Sequence, residues 1–349
     1  MTRRLATIAA LAVLIAGRSV AAPAEIAPGL LETTFSVAHH ATPIAGAIWF
    51  PAREAGASQI VFENAVFEGV LAQPGAVPEA GAHPLVLLSH GFRGTQRSLA
   101  WLAAGLAARG AIVVGIDHPG SSFADFDLPR AQSPWTRAQD LSAVLDAMLD
   151  DPPAGLAIDG ERIAAIGFSY GGDTVLRLAG LLGDRDAYRS SCLADFGAGG
   201  HCDLLEREGF DLGSLDPVLW NGDRRDPRLS HVAAIDPGPL YPMAVHQVAA
   251  IATPLLLVGL GEGADRLKDT DFSDDGSGLA SLLAAAGKDV SIVEIAPAWH
   301  FTAMPLCRPG GPAMLADEGD DPVCDDPPGT DRAAAHARII AEVAAFLGL

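Results

Sequence analysis

Continuously apolar runs recur along the middle of the chain, and segments with apolar positions every three or four residues separate them. Pro84 to Ser89, Ala111 to Ile116 and Ile163 to Phe168 are short runs of this kind, as are Val232 to Ile235 and Pro254 to Gly259, with Val290 to Ile295 a further strand candidate. Between them, Ser98 to Arg109 has helical spacing and stops at Gly110. Trp135 to Leu149 puts Leu141, Leu145 and Met148 on one helix face and ends before Pro152-Pro153. Further helices are expected from about Gly171 to Leu182 and from Asp331 to Leu347. Strands that are apolar at every position are buried on both faces, so this alternation predicts an α/β architecture: a mostly parallel central sheet with helices on both faces. Leu31 to Val37 and Ala45 to Trp49 are strand candidates for an antiparallel edge. Residues 183–230 are weakly periodic, without a clear strand, and read as a loop-rich insertion on the core, either a lid or a passive excursion.

The first residues have a different pattern. Arg3-Arg4 is followed by the apolar run Leu5 to Ala16, broken only by Thr7, and then by the small-x-small tripeptide Ser19-Val20-Ala21. This is the form of a secretory signal over residues 1–21, cleaved after Ala21, leaving 22–349 as a single domain. Its apolar run of about 12 residues is short of the roughly 20 that span a bilayer. No longer run follows, so stable membrane insertion is not expected and the chain is read as secreted or periplasmic. The net charge of −20 repels phosphates and argues against nucleic acid as a partner. In an oxidising compartment four cysteines suggest disulfides. Three pairings are open, and the local one, Cys192–Cys202 with Cys307–Cys324, is favoured. The spacing of neither pair suits a metal site.

Gly167-Phe168-Ser169-Tyr170-Gly171 is a Gly-x-Ser-x-Gly pentapeptide between a predicted strand and a predicted helix. That context is the strand–turn–helix of a nucleophile elbow, and it points to the α/β-hydrolase fold. The turn requires small flanking residues, lifts the Ser169 hydroxyl from the sheet, and sets the Tyr170 N–H at a helix N-terminus, where it can hold an oxyanion. Ser89-His90-Gly91-Phe92 follows an upstream strand, so Phe92 is expected to supply the second oxyanion N–H, with His90 holding the loop. The base should follow the nucleophile in the chain. His300 does so, five residues past the last apolar strand. His336 reads as a surface or packing residue of the last helix; His201, His231 and His246 lack a comparable placement, and His118 could line the site. The orienting acid is Asp236, at the end of Val232 to Ile235, or alternatively Asp265, in the Gly-rich loop after Pro254 to Gly259, where Glu262 competes.

Ser89-His90-Gly91-Phe92, Ile116-Asp117-His118, Ile163 to Gly172 and Ala298-Trp299-His300-Phe301 resemble the platelet-activating-factor acetylhydrolase group and the bacterial predicted dienelactone hydrolases. The resemblance implies a serine esterase of short acyl chains. It also favours Asp236 as the acid, because the acetylhydrolases carry theirs in a segment similar to Ile235-Asp236-Pro237-Gly238. Dienelactone hydrolases use a cysteine nucleophile where this chain has Ser169.

These residues together predict a serine hydrolase cleaving a small-molecule carboxylic ester through Ser169, His300 and Asp236. A peptidase or amidase on the same triad and a non-catalytic binding protein are the alternatives. No cofactor and no metal are expected. Asp271 to Leu282 has calcium-loop spacing, but Leu282 stands where a bidentate Glu is needed. The oligomeric state is not legible.

Overall fold

A computed structural model describes residues 26–54, 56–153, 155–195 and 200–349. The expected signal over residues 1–21 lies outside them. The strands are β1 (Gly29–Phe35), β2 (Ile44–Phe50), β3 (Gln59–Val61), β4 (Val70–Pro74), β5 (His83–Ser89), β6 (Ile112–Ile116), β7 (Ile158–Phe168), β8 (His231–Ile235), β9 (Leu255–Leu260) and β10 (Val290–Ile295). They form one sheet in the order β10-β9-β8-β7-β5-β6-β2-β1-β4-β3. From β10 to β6 all neighbours run parallel. β2 joins β6 antiparallel, and β1 joins β2 antiparallel, which is the expected edge. β3 and β4 extend that edge further.

Alternation along β5 explains the layers. Leu85 and Leu87 enter one core with Leu141, Leu145 and Met148 of the helix Pro134–Asp150 and Val175 and Leu178 of the helix Tyr170–Ala179. Val86 and Leu88 enter the other, with Leu102 and Leu106 of the helix Ala100–Ala107 and Ile339 and Val343 of the helix Arg332–Leu347. The chain therefore has the mostly parallel sheet with helices on both faces that its pattern predicts.

Residues 183–230 contain no strand among the described residues but do form helices, at Arg185–Asp195, His201–Arg207 and Pro217–Asn221. They carry their own small core, in which Tyr188, Leu205 and Trp220 pack with the Cys192–Cys202 disulfide. Cys307–Cys324 is the second bridge, so the local pairing is the one present.

Candidate active site

Because β5, β7, β8 and β10 run in one direction, the segments that follow them emerge at the same edge of the sheet. Ligand sites of open parallel sheets lie at that edge. Phe92 follows β5, Ser169 follows β7, Asp236 follows β8 and His300 follows β10. Residues up to about 200 positions apart thus meet through strand direction alone.

Ser169 has φ +56° and ψ −122°, a left-handed conformation held by its surroundings. Its N–H donates to Ile235 O at 2.9 Å, and its carbonyl accepts from Gly172 and Gly238 N–H at 2.7 and 3.0 Å. Gly171 must be glycine: a Cβ there would fall on the Ser89 carbonyl group, 2.6 Å from its carbon. Gly172 is pressed the same way, its missing Cβ 2.7 Å from Pro237 Cα. The elbow is therefore wedged between the ends of β5 and β8.

The Ser169 hydroxyl donates to His300 Nε2 at 3.0 Å, and His300 Nδ1–H donates to Asp236 Oδ2 at 2.6 Å. Asp236 is fully buried, also with a left-handed φ of +43°. Its Oδ1 accepts the Leu260 N–H and its Oδ2 the Thr270 hydroxyl, both at 2.9 Å. Three donors thus fix the orientation of this carboxylate. Asp265 and Glu262 are exposed on the loop after β9, and Asp236 is the carboxylate on His300. His300 stacks on Phe168, with centroids 4.8 Å apart, and opens a 3-10 turn, His300–Ala303. That turn is pinned from behind: Trp101 Nε1–H donates to Ala303 O at 3.0 Å, His336 bonds Thr302 O at 2.8 Å, and the Thr302 hydroxyl donates to Asp326 at 2.7 Å. Of the two readings of His336, surface or packing, the structure has the second: it is buried and stacked on Trp101 at 3.8 Å.

Tyr170 directly follows the serine, and Phe92 follows Gly91 on the loop after β5, with the two rings 5.9 Å apart. A Cβ at Gly91 would come 3.2 Å from Ser169 Cβ, so the loop after β5 rests on the elbow. Tyr170 is the first residue of its helix, and its N–H is one of the donors a helix cannot satisfy internally. Neither it nor the Phe92 N–H has a backbone acceptor among the described residues.

The loop is held by a buried network. His90 Nδ1–H donates to Gly91 O at 2.7 Å, and His90 Nε2 accepts the His118 N–H at 3.0 Å. His90 is thus a neutral structural histidine, and burial pushes its pKa well down. The Arg137 guanidinium donates to Ser121 at 2.7 Å, to Ser89 at 3.2 Å and to His90 O. His118 does not line the site. It is fully buried behind it, between Ser89 Oγ and Asp140 Oδ2, each at 2.9 Å, and burial lowers its pKa to about 4. His201, which no local signal singles out, does reach the loop: its ring meets the Phe92 ring edge-on at 4.8 Å. Its backbone N–H donates to Asp269 Oδ2 at 2.9 Å, next to the Thr270 that holds Asp236. Only tertiary placement of the 183–230 segment reveals this contact.

A cavity of about 510 Å³ borders the same loop at Arg93 and Gly94 and continues past Met304 and Pro305, just beyond the His300 turn. Phe62, Phe67, Trp101 and Phe123 make its wall largely apolar.

Residues 68–185 match the family model described as PETase, PET hydrolase-like. The chain is 36% identical over 103 residues to the cutinase est1 of Thermobifida alba, covering 29% of this chain and 32% of that protein. It is 32% identical over 111 residues to lipase 1 of a Moraxella species, covering 32% of each. The match thus spans about a third of these relatives' length. Among solved structures, a ferulic acid esterase from Streptomyces cinnamoneus superposes with a TM-score of 0.56 at 20% identity, over 94% of this chain and 91% of that one. A dienelactone hydrolase-like promiscuous phosphotriesterase from metagenomic libraries gives 0.53 at 16% identity, over 92% and 99%. With its sheet order, its strand–elbow–helix and these structural neighbours, the chain has the α/β-hydrolase fold.

Proposed function

We propose that this protein is an exported serine hydrolase of carboxylic esters, acting through an acyl-enzyme. The observation that carries the reading is the hydrogen-bonded series Ser169 Oγ, His300 Nε2–Nδ1, Asp236 Oδ2 on the elbow of an α/β-hydrolase sheet. His300 takes the hydroxyl proton as Ser169 attacks the ester carbonyl. The Phe92 and Tyr170 N–H groups receive the oxyanion, and His300 passes its proton to the leaving alcohol. Water then enters on His300 and frees the acid. Asp236 holds the imidazole with Nε2 facing the serine and stabilises the imidazolium.

The apolar cavity beside the Phe92 loop favours an apolar arm on the substrate, and Phe123, 66% exposed at its wall, extends that surface outward. The PET hydrolase-like family model that matches residues 68–185 and the cutinases that match 103 residues of the chain are ester hydrolases by name, which supports the same bond. Short acyl chains are part of the proposal on the acetylhydrolase resemblance alone. Two disulfides favour export. We read residues 22–349 as one domain, with the 183–230 segment as an insertion bordering the site through His201.

Turnover of p-nitrophenyl esters from acetate to palmitate, against matched anilides, tests the reading. Hydrolysis of the short esters with little anilide turnover is expected. Preferred anilide cleavage would make the protein an amidase, and a folded protein cleaving neither would make it a binding protein.

A further inference from the structure

The turn between β1 and β2 carries two consecutive histidines, and both reach the same buried acid on another element. His39 Nε2–H and His40 Nε2–H each donate to Asp140 Oδ1 at 2.7 Å. Their rings lie 4.5 Å apart. Asp140 sits on the helix Pro134–Asp150, 1% exposed, and its Oδ2 accepts His118 Nδ1–H at 2.9 Å. Burial pushes its carboxyl up, but the bonds from His118, His39 and His40 outweigh this and hold it well below the usual carboxylate range. The proposed ester chemistry uses neither His39 nor His40. Three imidazoles thus converge on one buried carboxylate.

We propose that His39 Nε2, His40 Nε2 and Asp140 Oδ1 bind one divalent transition-metal ion, Zn²⁺ by preference, with solvent completing the coordination. This revises the expectation of no metal. The three ligand atoms all lie within 4.8 Å of one another, close enough for one ion to touch each. Two imidazole nitrogens and one carboxylate oxygen are a donor set that zinc takes, whereas Ca²⁺ and Mg²⁺ prefer oxygen throughout. Donors about 2.0–2.1 Å from a tetrahedral ion stand about 3.3 Å apart. Binding therefore opens the present 2.7 Å contacts by about 0.6 Å. The turn that carries the histidines is largely exposed, whereas the helix that carries Asp140 packs into the core. His118 supplies the outer partner: its N–H occupies Oδ2, sets the carboxylate plane and leaves Oδ1 to the ion. The side chains of His39 and His40 are 29% and 12% exposed, so the ion reaches them from solvent. Each Nε2 gives up the hydrogen it now donates. A neutral ring moves that proton to Nδ1 through solvent, and a charged ring releases one, with no change of oxidation state. The bound ion ties the β1–β2 turn to the helix that covers the sheet, next to the His118–Ser89 pair.

The test is calorimetric titration of the whole chelator-stripped protein with Zn²⁺ alone at neutral pH, for wild type and for His39→Ala/His40→Ala. One equivalent should bind. The double variant should lose more than the roughly 10–100-fold that loss of an outer-shell partner costs. Co²⁺ in place of Zn²⁺ should give visible absorption bands that the double variant lacks. The single variant His39→Ala, at the more exposed position, must also weaken binding, so the test stands if the double variant folds poorly. Absence of stoichiometric binding, its survival in either variant, or equal affinity for Ca²⁺ would overturn the proposal. None of these readouts depends on ester turnover.

Discussion

Replacing Gly171 by Ala isolates the elbow, because it adds one methyl and removes no reacting group. The new Cβ would fall on the Ser89 carbonyl group, with Ser89 C at 2.6 Å and His90 O at 2.8 Å, where ordinary contact begins at 3.4 Å. All of these are backbone atoms and cannot turn aside. The helix Tyr170–Ala179 must back away from β5 by more than about 0.8 Å, because the contact with Ser89 O is shorter still than these two. Such overpacking costs about 1–3 kcal/mol of stability. The larger effect falls on the reaction, since Ser169 and the Tyr170 N–H move together while His300 and Phe92 stay. A misplacement of about 1 Å costs on the order of a hundredfold, or about 2.7 kcal/mol of barrier. Gly160→Ala is the control: its Cβ would meet nothing within 4 Å, and a change within about 0.5 kcal/mol is expected. The assay is kcat/KM on a p-nitrophenyl ester, beside urea midpoints for both variants. Near-wild-type turnover by Gly171→Ala would refute the claim that the wedge between β5 and β8 sets the serine's position.

Other outcomes follow from the same contacts. Thr270→Val removes one hydrogen bond to the Asp236 carboxylate, and the loss of about 1.5 kcal/mol should lower kcat/KM by about tenfold or more; unchanged kinetics would show that Thr270 does not orient the acid. Stability should fall in acid. His118 titrates at about 4 in the fold against 6.5 unfolded, so the unfolded chain binds more protons between those values, and His336 acts the same way. This stability is complete above pH 6.5 and falls by roughly 2 kcal/mol for His118 at about pH 5, while His39, held up by Asp140, acts weakly in the opposite sense. Urea midpoints that stay level over this range would contradict the buried neutral assignment. Cys192→Ser/Cys202→Ser opens a loop of sequence separation 10 and should cost roughly 3 kcal/mol in the same measurement, since loop closure entropy then returns to the unfolded chain.

How far the sequence could be read depended on where each signal came from. The parallel strands were legible because burial on both faces leaves an unbroken apolar run, and Val113 or Leu257 can stand nowhere else. Helix ends came within a few residues through Gly110, Pro152 and Asp331. β3 and β4 were missed because short edge strands bury little: Ile60 is 60% and Leu71 57% exposed. The helices of the 183–230 segment were missed because their apolar positions serve a small separate core and a disulfide. Ser169 and His300 carried local signals, one in the glycines around it and one in its distance from the last strand. Asp236 and Asp265 could not be separated by spacing alone, because the difference lies in a hydrogen bond across 64 positions. The same holds for His201 on Phe92 and for His39 and His40 on Asp140. Such contacts depend on which elements pack together, and no local pattern records that.

The most direct test of the account is kcat/KM on a short p-nitrophenyl ester for wild type, Ser169→Ala, Asp236→Asn and Asp265→Asn. The account predicts no turnover above background for Ser169→Ala, a loss on the order of 10⁴-fold for Asp236→Asn, and near-wild-type activity for Asp265→Asn. Activity that survives in Ser169→Ala, or a loss that follows Asp265 instead of Asp236, would contradict it.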